Sequence, residues 1–149
     1  MKFNYLFDGG DYQDRMAVFS LAGMEQMSVG SDEYIQMAIS RAVSNSTQGY
    51  LVLDDARQTG DYNPEVVGIK LAPQVFKFAP GTQVALMLLP EGDLQRQRKR
   101  PLFSHQAQGQ MVDLTGKGSV FGWEDLILAD GDRDYNDVVF EVEGFKSKL

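Results

Sequence analysis

The stretch VVFEVEGF, Val138 to Phe145, alternates with a period of two: Val138, Phe140 and Val142 fall on one face, and Val139, Glu141 and Glu143 on the other. That spacing predicts a half-buried β-strand. It decides the fold, because the acidic segment before it, DGDRDYND at residues 130–137, then becomes a loop between two strands and not the approach to a helix. The strand that leads into this loop is expected over roughly Ser119 to Leu128.

Further upstream the same kind of pattern recurs in short runs: YLVLD at 50–54, VVGIKL at 66–71, VFKF at 75–78, QVALMLL at 83–89, PLF at 101–103 and MVDL at 111–114. Turn residues separate the runs at close spacing, and Pro64, Pro73, Pro80, Pro90 and Pro101 stand at or near their boundaries, where a missing N–H does least harm. FNYLF at 3–7 and MAVFSL at 16–21 add two strands around the turn DGGDYQD. One segment breaks the pattern. Ser31 has the character of an N-cap, Asp32 and Glu33 sit where a helix dipole favours acids, and Tyr34, Ile35, Ala38, Ile39, Ala42 and Val43 recur with helical spacing. The expectation is a mainly β fold, a jelly-roll-like β-sandwich in a single domain over residues 1–149, with one amphipathic helix at residues 31–44.

The chain has 149 residues, of which 43% are hydrophobic and 23% charged, which excludes a disordered or collagen-like polypeptide. A net charge of −7 would repel a phosphate backbone, so no nucleic-acid partner is expected. No apolar run reaches the roughly 20 residues of a transmembrane helix, and MKFNYLFDGGDY turns acidic too early for a signal peptide. The absence of cysteine removes disulfides, thiolate metal sites and Cys catalysis. The basic group Arg96, Arg98, Lys99 and Arg100 lacks interleaved aromatics and reads as a solvated loop or edge, with a patch for an anionic partner as the second reading.

The acidity is concentrated. Residues 124–137 hold Glu124, Asp125, Asp130, Asp132, Asp134 and Asp137 against Arg133 alone, a local net of −5 that leaves −2 for the rest of the chain. Carboxylates this crowded repel one another by about 1 kcal/mol per close pair even in water. Asp130, Asp132, Asp134 and Asp137, with Asn136 as a neutral oxygen donor, form a hard oxygen set suited to calcium, which takes six to eight such ligands. His105 is the only histidine, which disfavours zinc and copper. Asp130, Asp132, Asp134 and Glu141 fit positions one, three, five and twelve of an EF-hand, but position six is Tyr135 where glycine is needed, and a strand follows in place of a helix. A calcium loop between strands is the preferred reading, and an ion-free acidic turn stays open beside it. A second ion site can be drawn from Asp54 and Asp55, or from Asp8, Asp11 and Asp14, with Asp113 a weaker candidate.

The longer stretch FGWEDLILADGDRDYNDVVFEV resembles the C-terminal signature of the domain of unknown function 4114 family. Phe121, Glu124, Asp125, Asp132, Asp134, Tyr135, Asn136 and Asp137 match it in place, and LFDGGDYQDRMAVFSLAGM near the start is similar to cyanobacterial members. The resemblance implies a calcium-bound β-sandwich module of large exported, cell-surface or adhesin-like bacterial proteins, some of which bind peptides when calcium is present. It implies Glu124, Asp125, Asp132, Asp134 and Asp137 as calcium ligands.

The leading functional expectation is a noncatalytic calcium-binding module, structural or ligand-binding, with a peptide or a glycan as the candidate ligand. The enzyme alternative is carboxylate-dependent glycoside hydrolysis, which needs two carboxyl groups about 5 to 9.5 Å apart across a sugar cleft. Ser104 and His105 form no triad, since neighbours on a strand point to opposite faces, and His105 reads as a surface histidine. Trp123 is expected to pack near the ion loop or to stack on a sugar. A third reading is strand addition to a neighbouring molecule at an exposed sheet edge.

Overall fold

The computed structural model describes residues 1–7, 9, 12, 14–54, 74–92, 94, 99–106, 109–127, 129 and 131–145, with Asp54 described in its backbone alone. The expected strand at 66–71, together with Pro64 and Pro73, lies outside the described residues. Nine strands are found among those described: β1 (Lys2–Phe7), β2 (Arg15–Ser20), β3 (Gly49–Asp54), β4 (Gln74–Val75), β5 (Val84–Leu89), β6 (Leu102–Phe103), β7 (Met111–Asp113), β8 (Val120–Trp123) and β9 (Val138–Glu143). Among the described residues one helix is found, α1 (Asp32–Val43), between β2 and β3.

The strands form two antiparallel sheets, one in the order β4-β1-β9-β8-β7 and the other β3-β2-β5-β6. The alternation of β9 is realised: Val138, Phe140 and Val142 are buried while Glu143 is exposed. They meet Phe3, Tyr5, Phe121 and Trp123 of their own sheet and Met16, Val18, Leu86 and Leu88 of the other, so the principal core lies between the sheets. The mainly β, sandwich-like reading is borne out.

The strands β2 and β5 are apolar at nearly every position because both of their faces are covered. Met16, Val18, Leu86 and Leu88 face the other sheet. Ala17, Phe19, Ala85, Met87 and Leu89 face α1, where they pack with Tyr34, Ile35, Ala38 and Ala42. Tyr34 anchors this third layer through edge contacts with Phe19 and Phe103, at ring-centroid distances of 6.1 and 5.0 Å. The helix begins as expected, with the Ser31 hydroxyl accepting from the Tyr34 amide at 3.2 Å, an arrangement worth about 1 kcal/mol. It ends with Asn45 in the left-handed region at φ 48°, a conformation asparagine tolerates better than most residues.

Several expected elements are shorter than their sequence patterns. The strand anticipated over 119–128 ends at Trp123, and that at 75–78 survives only as Gln74–Val75. Phe76 still exchanges two hydrogen bonds with Met1, but the chain then turns at Ala79 to Thr82 ahead of β5. Ser104 and His105 sit in a turn after β6 and not on a strand. The Ser104 hydroxyl faces inward and accepts from the Leu86 amide at 3.0 Å, whereas His105 is exposed, so the two diverge for a reason other than strand alternation. Among the described residues, no helix is long and apolar enough to cross a membrane.

Candidate metal centre

The strand β8 delivers Glu124 and Asp125 as it ends, and β9 receives the chain at Val138, its partner opposite Trp123. The loop between them must therefore return to within one strand spacing of its origin. Its closure is direct: the Asp125 amide donates to Oδ2 of Asp137 at 2.8 Å. On the other side the Gly9 amide, just past β1, reaches the carbonyls of Asn136 and Asp137 at 3.0 and 3.3 Å.

Inside the loop, Arg133 and Tyr135 adopt φ values of 64° and 56°. Left-handed backbone costs a residue with a β-carbon roughly 1–2 kcal/mol, so something must hold both in place. The Asp134 amide donates to Oδ1 of Asp132 at 3.3 Å, and the Asn136 amide donates to Oδ1 of Asp134 at 3.2 Å. Each aspartate thus caps the amide two residues on, the habit that makes Asp a turn residue. The Asn136 side-chain amide also donates to Oδ2 of Asp134.

Two glycines allow the loop to close. A β-carbon on Gly122 would run into the Tyr135 carbonyl, and one on Gly131 would run into the Glu124 carboxylate. The loop therefore lies directly on β8, and Glu124 lies directly beneath the loop. Glu124 is 2% exposed and Asp125 5%.

These contacts bring oxygens of Glu124, Asp132 and Asp134 within 4.8 Å of one another, and this is the group among the described residues with that convergence. Asp137 is half-buried and spends Oδ2 on the Asp125 amide. Asp130, Asp8, Asp11 and Asp55 lie outside the described residues, as does the side chain of Asp54. Asp14 is buried at the start of β2, at the same end of the sandwich as the acidic loop. Asp113 is committed to its own turn, accepting from the amides of Thr115, Gly116 and Gly118.

The electrostatics of the cluster are unfavourable by themselves. Burial pushes the Glu124 carboxyl up, and the charges of Asp137, Asp132 and Asp134 push the same way against a hydrogen bond from the Arg133 amide. Asp137 is raised chiefly by burial, with Asp134 and Asp132 adding to it and the Asp125 amide opposing. The Oε2 atom of Glu124 is buried without a hydrogen-bond partner. A buried, unpaired carboxylate oxygen costs several kcal/mol unless it is protonated or meets a cation. Hard oxygens in this arrangement fit a divalent cation of the calcium type.

Trp123 is fully buried in the core between the sheets, next to the cluster, and its ring is closed off from any sugar. In the basic group, Lys99 lies over the Tyr12 ring and Arg100 binds the Gly30 carbonyl and Asp32 at the start of α1, while Arg96 and Arg98 lie outside the described residues. Sequence reading also missed Gln110, Gly122 and Gly131. Gly122 carries no turn signature, and the Asp130-Gly131 dipeptide signals a turn but not the contact with Glu124, because what both glycines accommodate arrives from elsewhere in the chain.

A cavity of about 780 Å³ is lined by Leu21, Phe78, Val84, His105 and Phe145 among the described residues. It opens where β9 ends and β1 begins, so the six residues of β9, about 20 Å at 3.4 Å each, separate it from the acidic loop.

Residues 78–145 match the family model described as a domain of unknown function (DUF4114). This is the family that the FGWEDLILADGDRDYNDVVFEV motif resembles, and the matched span runs from just before β5 to the end of β9, including the whole acidic loop. The strands β1 and β2, which lie outside the match, are neighbours of β9 and β5 within the two sheets. No curated protein and no solved structure matches the chain.

Proposed function

We propose that the chain is a noncatalytic calcium-binding β-sandwich module in which Glu124, Asp132 and Asp134 hold the ion. The observation that carries this reading is the Oε2 atom of Glu124, buried without a hydrogen-bond partner in a carboxylate aimed at two others. Calcium would supply the missing partner and offset both the burial and the neighbouring charges that raise Glu124. Its effect would be mechanical. Because the loop rests on β8 and leads into β9, an ion at Glu124 fastens the two strands at one end of the sandwich.

Three carboxylates leave part of a six- to eight-oxygen shell to backbone carbonyls, water or a ligand's own oxygen. A carboxylate-bearing peptide or a sugar hydroxyl could complete it, which is the form in which ligand binding fits this site. Placement in an exported or cell-surface bacterial protein rests on the family resemblance alone. The glycoside-hydrolase alternative is less well supported, since the described lining of the sugar-sized cavity contains no Asp or Glu and the acids converge at the other end of the sandwich.

Melting curves in chelator and in calcium test the proposal. At free calcium near 100 times Kd, linkage adds about 2.7 kcal/mol of stability. An unchanged melting temperature across that range would overturn it.

A further inference from the structure

We infer that Gln110 is the positioning residue of Glu124 and thereby sets the affinity of the cation site, an inference that rests on the calcium reading above. Gln110 directly precedes β7, and the β7–β8 register places Met111 opposite Trp123. The residue before Met111 therefore faces the residue after Trp123, and the Glu124 amide donates to the Gln110 carbonyl at 2.9 Å. At that point both strands end. The backbone that would continue the ladder is replaced by a side chain: Nε2 of Gln110 donates to the carbonyls of Glu124 at 3.1 Å and Leu126 at 2.6 Å.

A strand pairs with its neighbour through alternate residues, so carbonyls two apart are the pair that an adjoining strand would satisfy. One primary amide, with two N–H groups on a single nitrogen, serves both. Gln110 is 1% exposed, so water is poorly placed to replace it. Together with the bond from the Asp125 amide to Asp137, these contacts fix the backbone of residues 124–126 and hence the direction in which Glu124 projects. A glutamate whose Oε2 is buried without a partner does not orient itself by its own hydrogen bonds at that atom. Beside the Arg133 amide at its carboxyl, its direction is set from the backbone side, where the Gln110 side chain makes two of the bonds that hold residues 124–126. Residues behind metal ligands commonly change affinity by about 10- to 100-fold when removed.

The test is calcium titration calorimetry on four proteins: wild type, Gln110→Met, Gln110→Asn and Met111→Ala. The first variant keeps the size of the side chain and removes both donors. The second is a milder change whose shorter side chain cannot span both carbonyls, and it serves if Gln110→Met does not fold. Met111 is a core residue in the neighbouring position, so its truncation lowers stability without touching Glu124. The expected result is a calcium Kd about tenfold weaker in Gln110→Met, a smaller loss in Gln110→Asn and a wild-type Kd in Met111→Ala. Wild-type affinity in both Gln110 variants would overturn the inference, as would an equal loss in Met111→Ala at matched melting temperature. Absence of calcium heat in the wild type would instead overturn the calcium reading, and the role of Gln110 with it.

Discussion

The amide of Asp125 donates to the carboxylate of Asp137 at 2.8 Å, joining the first and last turns of a loop whose ends lie twelve residues apart. Asp137 therefore acts as a clasp. Replacing it with alanine strands the Asp125 amide and frees the loop, at a cost of about 1.5–3 kcal/mol for a hydrogen bond to a charged group. Because the clasp is independent of any ion, urea unfolding of Asp137→Ala in chelator is expected to show this loss. Equal stability of the two proteins in chelator would remove Asp137 from that role.

Glu124→Gln separates the buried charge from the shape of the side chain. Burial and three neighbouring carboxylates oppose ionisation of Glu124, so removing its charge relieves the ion-free protein. In chelator at pH 7 the variant is expected to melt at or above the wild-type temperature. In calcium the order reverses, because the variant forgoes the linkage term of about 2.7 kcal/mol at 100 times Kd. A variant that is less stable in chelator and gains as much from calcium as the wild type would contradict both halves of the argument.

The two close-packed glycines are expected to fail differently. A methyl on Gly122 meets a backbone carbonyl, which cannot step aside cheaply, so Gly122→Ala lowers stability by about 1–3 kcal/mol with or without calcium. A methyl on Gly131 meets the carboxylate of Glu124, the far end of a flexible side chain. Gly131→Ala is therefore expected to fold nearly as well as the wild type in chelator and to bind calcium on the order of tenfold more weakly. Calorimetry and melting curves on the pair check the distinction.

A pH effect is expected at the other end of the sandwich. His105 is exposed overall but lays its ring against Tyr34 and Phe103, and desolvation there lowers its pKa; its Nε2 lies 2.8 Å from the hydroxyl of Tyr34, whose own pKa is raised by burial. The phenol stays protonated, and the lowered imidazole pKa favours the neutral ring in the fold. A folded pKa below the unfolded value near 6.5 means that the contribution is fully present above pH 6.5 and is lost as pH falls through the folded value. Between pH 7.5 and 5 the melting temperature of the wild type is expected to fall relative to that of His105→Gln. A constant difference across that range would show that His105 does not titrate with folding.

How much of this was legible beforehand depended on how local the cause was. The strand at Val138 was readable because one of its faces is buried and the other is not, which stamps a period of two on the sequence. The helix was readable for the same reason, with Ser31 marking its start. The two-faced burial of β2 and β5 was not readable as such: an apolar run announces a buried strand but not the helix that covers its second face. The end of β8 was misjudged because the apolar residues Leu126 to Leu128 continue the pattern, while the Gln110 side chain, fourteen residues before Glu124, takes over from the ladder. The acids were found as a group, yet which of them converge depends on the left-handed turns at Arg133 and Tyr135 and on the approach of β8 from outside the loop.

Isothermal calorimetry of chelator-treated protein titrated with calcium, with magnesium as control and Glu124→Gln beside the wild type, tests cation binding at Glu124 itself. Saturable, calcium-selective heat is expected in the wild type and is expected to be lost in the variant. Folded, metal-free wild-type protein that gives no heat, or a variant that binds as well as the wild type, would contradict it.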